Sequence, residues 1–143
     1  MIKDKKLKEW KATGTFLLIE KGPDIHVFTK LVGNVDASPE KTLLLLHGFP
    51  ESSFSYHLVV NGLLRYFERI ILFDFPGYGF SDKPKTGYSY SLLDQADVAL
   101  QVWKSYGITG GHLLAHDMGN SVATELIARE VENSLPIWFS AGF

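Results

Sequence analysis

The chain has 143 residues, of which 45% are hydrophobic and 21% charged, with a formal net charge of −2 and no cysteine. Length and composition predict one soluble globular domain with a sizeable core. The charge balance offers no basic stripe for nucleic acid, and the lack of cysteine excludes both a disulfide framework and a zinc–thiolate site.

Residues 1–11, beginning "MIKDKKLKEW", read as a charged, solvated segment. They lack the apolar stretch of a secretory signal. The apolar run Leu43–Leu46 is far shorter than a membrane span. On these grounds the expected location is the cytoplasm. Next, Ala12–Val32 predicts two strands around a Gly-Pro-Asp turn, followed by the polar loop "NVDASPEK". "TLLLLHGF" (Thr42–Phe49) predicts a strand buried on both faces. Val60, Leu63, Leu64 and Phe67 recur at helical spacing and predict an amphipathic helix over "VVNGLLRYF".

"RIILFDF" (Arg69–Phe75) is a second buried-strand candidate, and "PGYGFSDKPKTGYS" is rich in turn residues. A helix is expected over "YSLLDQADVALQVWKSYG", with Leu92, Ala96, Ala99, Leu100 and Trp103 on one face and Gly107 as its stop. "HLLAHD" (His112–Asp117) is a third buried strand, and "MGNSVATELIAREVE" a third helix, with Glu125 and Arg129 able to pair on its outer side. A strand–helix alternation of this kind predicts an α/β fold, with an antiparallel hairpin followed by parallel strands and right-handed crossover helices. Ligands in such sheets bind outside the carboxyl ends of the strands. Three glycine-containing segments fall there: "HGFP", "DFPGYGFSDKP" and "AHDMG".

Asp117 sits where an apolar strand turns into a helix. Aspartate is a favoured N-cap, so this turn alone reads equally as a capped helix and as a carboxylate nucleophile displayed at a strand-to-helix elbow. The three loop segments together resemble the α/β-hydrolase superfamily over about residues 12–133. "AHDMG" is similar to its small–x–nucleophile–x–small elbow, with aspartate in place of serine. "LLLLHGFPES" is similar to its His-Gly segment, and "DFPGYGFSDKP" to its Asp-x-x-Gly-x-Gly-x-Ser loop. The pairing of "HGFPES" with "HDMG" most resembles the aspartate-nucleophile branch, which holds epoxide hydrolases, haloalkane dehalogenases and mesoderm-specific-transcript-like proteins.

The resemblance implies a reaction through an aspartyl ester. Asp117 would attack an sp³ carbon, and water activated by a histidine held by an acid would hydrolyse the ester. Backbone N–H groups of Phe49 and Met118 would stabilise the oxyanion. Ala115 and Gly119 would let the elbow pack closely, and His47 and Gly48 would support the loop rather than act as base. His116 is expected to point away from Asp117, because strand neighbours alternate faces. His26, His57 and His112 are read as surface or packing residues. Asp74 and Ser81 are expected to fix the glycine loop, and Trp10, Trp103 and Trp138 to serve as core or cover. Dehalogenases of the branch commonly carry tryptophan after the nucleophile, and Met118 in that place favours the epoxide-hydrolase reading. No metal or cofactor is implied, and the expected partner is a small-molecule substrate.

The chain departs from the resemblance after the elbow. Only 26 residues follow Asp117; they contain no histidine, and their only acids are Glu125, Glu130 and Glu132. The expected organisation is therefore the charged segment 1–11, the N-terminal half of a hydrolase domain at 12–133, and an apolar tail at 134–143 that stops before the remaining strands, lid, acid and histidine. This predicts a chain inactive by itself; the alternatives are a non-catalytic hydrolase-like module and a truncated product with no independent role. The third strand would then present an unpaired outer edge, inviting self-association or a fold-back of "LPIWFSAGF".

Overall fold

A computed structural model describes residues 1–135 and 137–140. The N-terminal segment is not a free solvated start but helix α1 (Ile2–Ala12), whose only buried residue is Trp10. Five lysines within it give no apolar stripe, which is why periodicity failed to reveal the helix. Its C-terminal end is anchored from outside. The Lys30 ammonium donates to the Trp10 carbonyl at 3.3 Å and to Thr13 Oγ1, and lies 4.7 Å from the centre of the Trp10 ring.

Strands β1 (Thr15–Glu20) and β2 (Asp24–Gly33) form the expected antiparallel hairpin, with Thr15 opposite Thr29 and Glu20 opposite Asp24. Gly22 takes φ +95° in the turn. Strands β3 (Thr42–Leu46) and β4 (Arg69–Phe73) are buried at every position. Their side chains divide by parity. Leu44, Leu46, Ile71 and Phe73 join one core cluster, whereas Leu43, Leu45, Ile70 and Leu72 join the other. A sheet covered on both faces needs such continuous apolar runs, and each fully buried Leu or Ile stabilises the fold by about 1.5–3 kcal/mol.

Between β3 and β4 the expected amphipathic helix shrinks to α2 (Val60–Leu63). Gly62 weakens it, and the chain must turn into β4 within a few residues. The apolar spacing instead reports packing: Val60 is buried, and Leu63, Leu64 and Phe67 rest on the same cluster. Helix α3 (Leu92–Ser105) begins at Ser91, whose side chain accepts the Asp94 N–H. It buries Ala96, Val98, Ala99, Val102 and Trp103, while Leu92, expected on that face, is exposed. Gly107, at φ +68°, ends it: the Gly107 N–H reaches the Lys104 carbonyl and the Ile108 N–H the Trp103 carbonyl.

Strand β5 (Gly110–Ala115) leads through the Asp117 turn into α4 (Met118–Val131), which buries Val122, Ala123 and Leu126. The chain then returns to the sheet as β6 (Trp138–Ser140), parallel to β5, with Gly110 opposite Trp138 and His112 opposite Ser140. Of the two expected ways to cover the outer edge of β5, the described residues show the fold-back of the tail, with α4 as its crossover. Pro136 and residues 141–143 lie outside the described residues. The sheet order is β1-β2-β4-β3-β5-β6. From β3 the chain goes first to one neighbour and later to the other, so the topological switch point lies at the exit of β3, where such sheets bind ligands. Among the described residues no helix is long and apolar enough to cross a membrane.

An ionic network fastens the hairpin to the helical layer. Lys21, in the β1–β2 turn, pairs with Asp94 at 2.8 Å and Asp97 at 2.9 Å, and Arg129 of α4 pairs with Asp97 at 2.6 Å and Glu125 at 2.8 Å.

Removal of residues 135–143 would take Ile137 and Phe139 out of the core and bare β5. The unfolding midpoint is expected to fall by roughly 5 °C or more, with increased aggregation visible by light scattering. A shortened chain that stays monomeric with an unchanged midpoint would show that β6 contributes nothing to the fold.

Candidate active site

The exits of β3, β4 and β5 each carry one of the three glycine-containing segments. At the third, the backbone of Asp117 takes φ +54° and ψ −121°, a conformation that costs a non-glycine residue about 1–3 kcal/mol. Asp117 occupies the N-cap position of α4, yet its side chain accepts no capping hydrogen bond. Its carboxylate is exposed, near the positive end of the helix dipole.

Two glycines make this turn possible. A methyl built on Gly48 would lie 2.5 Å from Asp117 Cβ, 2.9 Å from the His116 carbonyl oxygen and 3.1 Å from His116 Cδ2. One built on Gly119 would lie 2.6 Å from the Leu46 carbonyl oxygen and 2.7 Å from that of His47. These close approaches belong to Gly48 and Gly119; Ala115, given a similar task on sequence grounds, packs half-buried against the core beside α4. The first turn is closed by the Gly119 N–H to the His116 carbonyl and the Asn120 N–H to the Asp117 carbonyl, both at 2.9 Å.

His116 does not turn away from the site as strand alternation would require. The strand ends at Ala115, so the alternation stops before the two residues in question, and both border Gly48. The His116 ring is exposed, with Nε2 3.8 Å from Glu51 Oε2.

His47 is buried and fully engaged. Its Nε2 accepts the Phe75 N–H at 3.0 Å, which leaves Nδ1 to donate to the Gly48 carbonyl at 2.9 Å. Burial lowers its pKa, against the opposing pull of the Gly48 carbonyl, Asp74 and Glu51. Neutral, with both nitrogens occupied, it braces the loop and has no lone pair for a substrate proton. Beyond it, the Phe49–Pro50 peptide is cis and Phe49 is 65% exposed. Among the described residues the Phe49 and Met118 N–H groups have no backbone partner.

Asp74, at the exit of β4, holds two loops at once. One carboxylate oxygen accepts the Ser53 N–H and the other the Phe80 N–H, each at 2.8 Å, while the Ser81 hydroxyl donates to the Asp74 carbonyl at 2.6 Å and accepts the Phe28 N–H at 2.9 Å. The expected role of Asp74 and Ser81 is therefore what the hydrogen bonds deliver. The arrangement also uses residues that periodicity did not single out. Ser53 accepts the Trp10 indole N–H at 3.1 Å, which ties α1 to the loop. Tyr78 sits edge-on to His47, and its hydroxyl donates to Met118 Sδ at 3.4 Å. The one available signal for Tyr78 was an aromatic side chain held between two glycines. Tyr56 donates to the Leu46 carbonyl at 3.0 Å, with its pKa pushed up to about 12 by burial and Glu51.

Of the other histidines, His26 is exposed beside Asp82, His57 stacks on Phe54, and His112 lies against Phe67 with Nε2 3.1 Å from the Glu40 carbonyl. Trp103 is wholly buried, Trp10 nearly so, and Trp138 covers Gly110. Asp117 lines none of three surface clefts of about 470, 390 and 380 Å³, the last of which borders the site's loops at Pro50, Glu51, Ser52 and Gly79.

Residues 41–137 match the family model described as alpha/beta hydrolase fold. The mesoderm-specific transcript protein of Mus musculus is 39% identical over 129 residues, a match covering 89% of this chain and 37% of that protein. Epoxide hydrolase B of Mycobacterium tuberculosis is 31% identical over 98 residues, covering 66% of this chain and 28% of the relative. A solved structure of a putative epoxide hydrolase from Pseudomonas aeruginosa superposes with a TM-score of 0.69 at 22% identity, covering 90% of this chain and 40% of that one. The chain thus spans less than half the length of these relatives. It belongs to the alpha/beta hydrolase fold family.

Proposed function

We propose that the chain carries the nucleophile side of a hydrolase working through an aspartyl ester on an epoxide-like substrate. The observation that carries this reading is the backbone of Asp117: a strained turn presents a carboxylate to solvent without using it as a helix cap. Strain of this kind persists only where surrounding structure imposes it, and it collects at functional sites. The likeness to an epoxide hydrolase supports the substrate class.

In the proposed reaction an Asp117 carboxylate oxygen attacks a ring carbon of the epoxide. The ring C–O bond breaks, the freed oxygen takes up a proton, and a hydroxyalkyl ester of Asp117 remains. Water then adds to the ester carbonyl carbon. The negative charge on the carbonyl oxygen is received by the Phe49 and Met118 N–H groups, and collapse releases the diol and restores the carboxylate. The first step needs the carboxylate and a proton for the freed oxygen, which solvent water supplies. The second needs a base for the water.

The chain has no histidine after Asp117, and His47 is occupied at both nitrogens. Glu125 is taken by Arg129, and Glu130 accepts the Phe139 N–H at 2.9 Å. These engagements of His47, Glu125 and Glu130 favour a second reading, a hydrolase-like module that binds a ligand or partner without turnover.

Two experiments separate the steps. The purified chain, assayed with epoxide, haloalkane and ester substrates, is expected to show no multiple turnover, because a general base is worth about 10²–10⁴ in rate and His47, Glu125 and Glu130 are already engaged. Turnover that Asp117→Asn abolishes would refute that expectation. Incubation with styrene oxide is expected to give one covalent adduct, located on Asp117 by intact-mass and peptide analysis. Adducts scattered over surface carboxylates, with none on Asp117, would remove the nucleophile assignment.

A further inference from the structure

The first of the three clefts is an open groove of about 470 Å³ between α1, β2 and the segment from Phe54 to Asn61, and Asp117 does not line it. That volume is in the range of small-molecule sites. Trp10, Val32, Phe54 and Leu58 supply apolar and aromatic wall. Lys30 lines the cleft although it is only 7% exposed.

Lys30 is the anomaly. A buried ammonium normally faces a carboxylate, and among the described residues Lys30 has none. Burial alone acts on it and lowers its pKa. Two of its three hydrogens go to the Trp10 carbonyl and Thr13 Oγ1. The C-terminal dipole of α1, about half an elementary charge, and the face of the Trp10 ring 4.7 Å away offset only part of the cation. Among the described residues the third hydrogen has no acceptor. Lys6 adds a second positive charge to the lining and Glu9 one negative charge, so the cleft carries a net charge of +1. A single anionic group balances that charge, whereas Glu9 opposes a dianion.

We infer that this cleft is a binding site for a small monocarboxylate with an apolar tail, the carboxylate seated on the Lys30 ammonium and the tail along Trp10, Phe54 and Leu58. This site is separate from the proposed nucleophile and stands whether or not that reading holds.

The test is an NMR titration of the ¹⁵N-labelled full chain with octanoate, kept below its micelle concentration, and with 1-octanol as the uncharged counterpart. Octanoate is expected to shift amides of residues 6–13 and 54–61 saturably while leaving Met118 unmoved, and octanol to bind at least about tenfold more weakly. Lys30→Met is expected to weaken octanoate binding by a similar factor. Should that variant fail to fold, Leu58→Glu serves in its place, since Leu58 is 74% exposed and the added carboxylate repels the ligand. Absence of saturable shifts, equal affinity for octanol, or unchanged affinity in the folded variants would overturn the assignment.

Discussion

Gly48 and Gly119 close on the Asp117 turn from two sides, and no side chain fits at either place. A β-carbon at Gly119 would enter the backbone of Leu46 and His47, and one at Gly48 would collide with Asp117 itself. The end of β3 and the start of α4 therefore meet backbone to backbone. That contact forces the chain through a conformation with positive φ at Asp117. Everything proposed for the site follows from it: the carboxylate makes no capping bond to the helix it precedes, and among the described residues the Phe49 and Met118 N–H groups have no backbone partner.

A contact this close needs a rigid frame. β3 is buried at all five positions and pairs in parallel with β4 on one side and β5 on the other. The loops leaving these strands are then tied to one another. Asp74 accepts N–H groups from Ser53 and Phe80, and Ser53 accepts in turn from Trp10. Hydrogen bonds to an ionised carboxylate are roughly twice as strong as neutral ones. Helix α1, held at its end by Lys30, is thereby part of the scaffold around the site. His47 completes the frame as a neutral brace between Phe75 and Gly48.

Much of this was legible in the residues themselves. Continuous apolar runs at Leu43–Leu46 and Ile70–Phe73 announced strands buried on both faces, and the Gly-Pro-Asp turn announced the hairpin. The loop motifs located the site, because glycines with required positions leave a readable spacing. Other features were not legible. Periodicity at Val60–Phe67 foretold which side chains meet the core but not that the helix would be one turn long. Helix α1 has a single buried residue and no stripe to detect. The outer neighbour of β5 was legible only as one of two outcomes, a fold-back of the apolar tail or self-association, because three residues make a weak strand signal. The direction of His116 depended on where β5 ends, a boundary that alternation cannot supply. Ser53, Tyr78 and Lys30 act through contacts made across 17 or more positions of sequence, beyond the reach of local pattern.

The central claim is that the turn at Asp117 is strained to display its carboxylate and that folding makes no use of that side chain. Urea unfolding of Asp117→Gly tests this most directly, with Asp117→Ala as the control that also loses the charge but retains a β-carbon. Glycine accepts positive φ without cost. Asp117→Gly is therefore predicted to be more stable than the native chain by roughly 1 kcal/mol, with Asp117→Ala below it. An Asp117→Gly chain less stable than the native one would mean that Asp117 serves the fold as a helix cap, and would contradict the account.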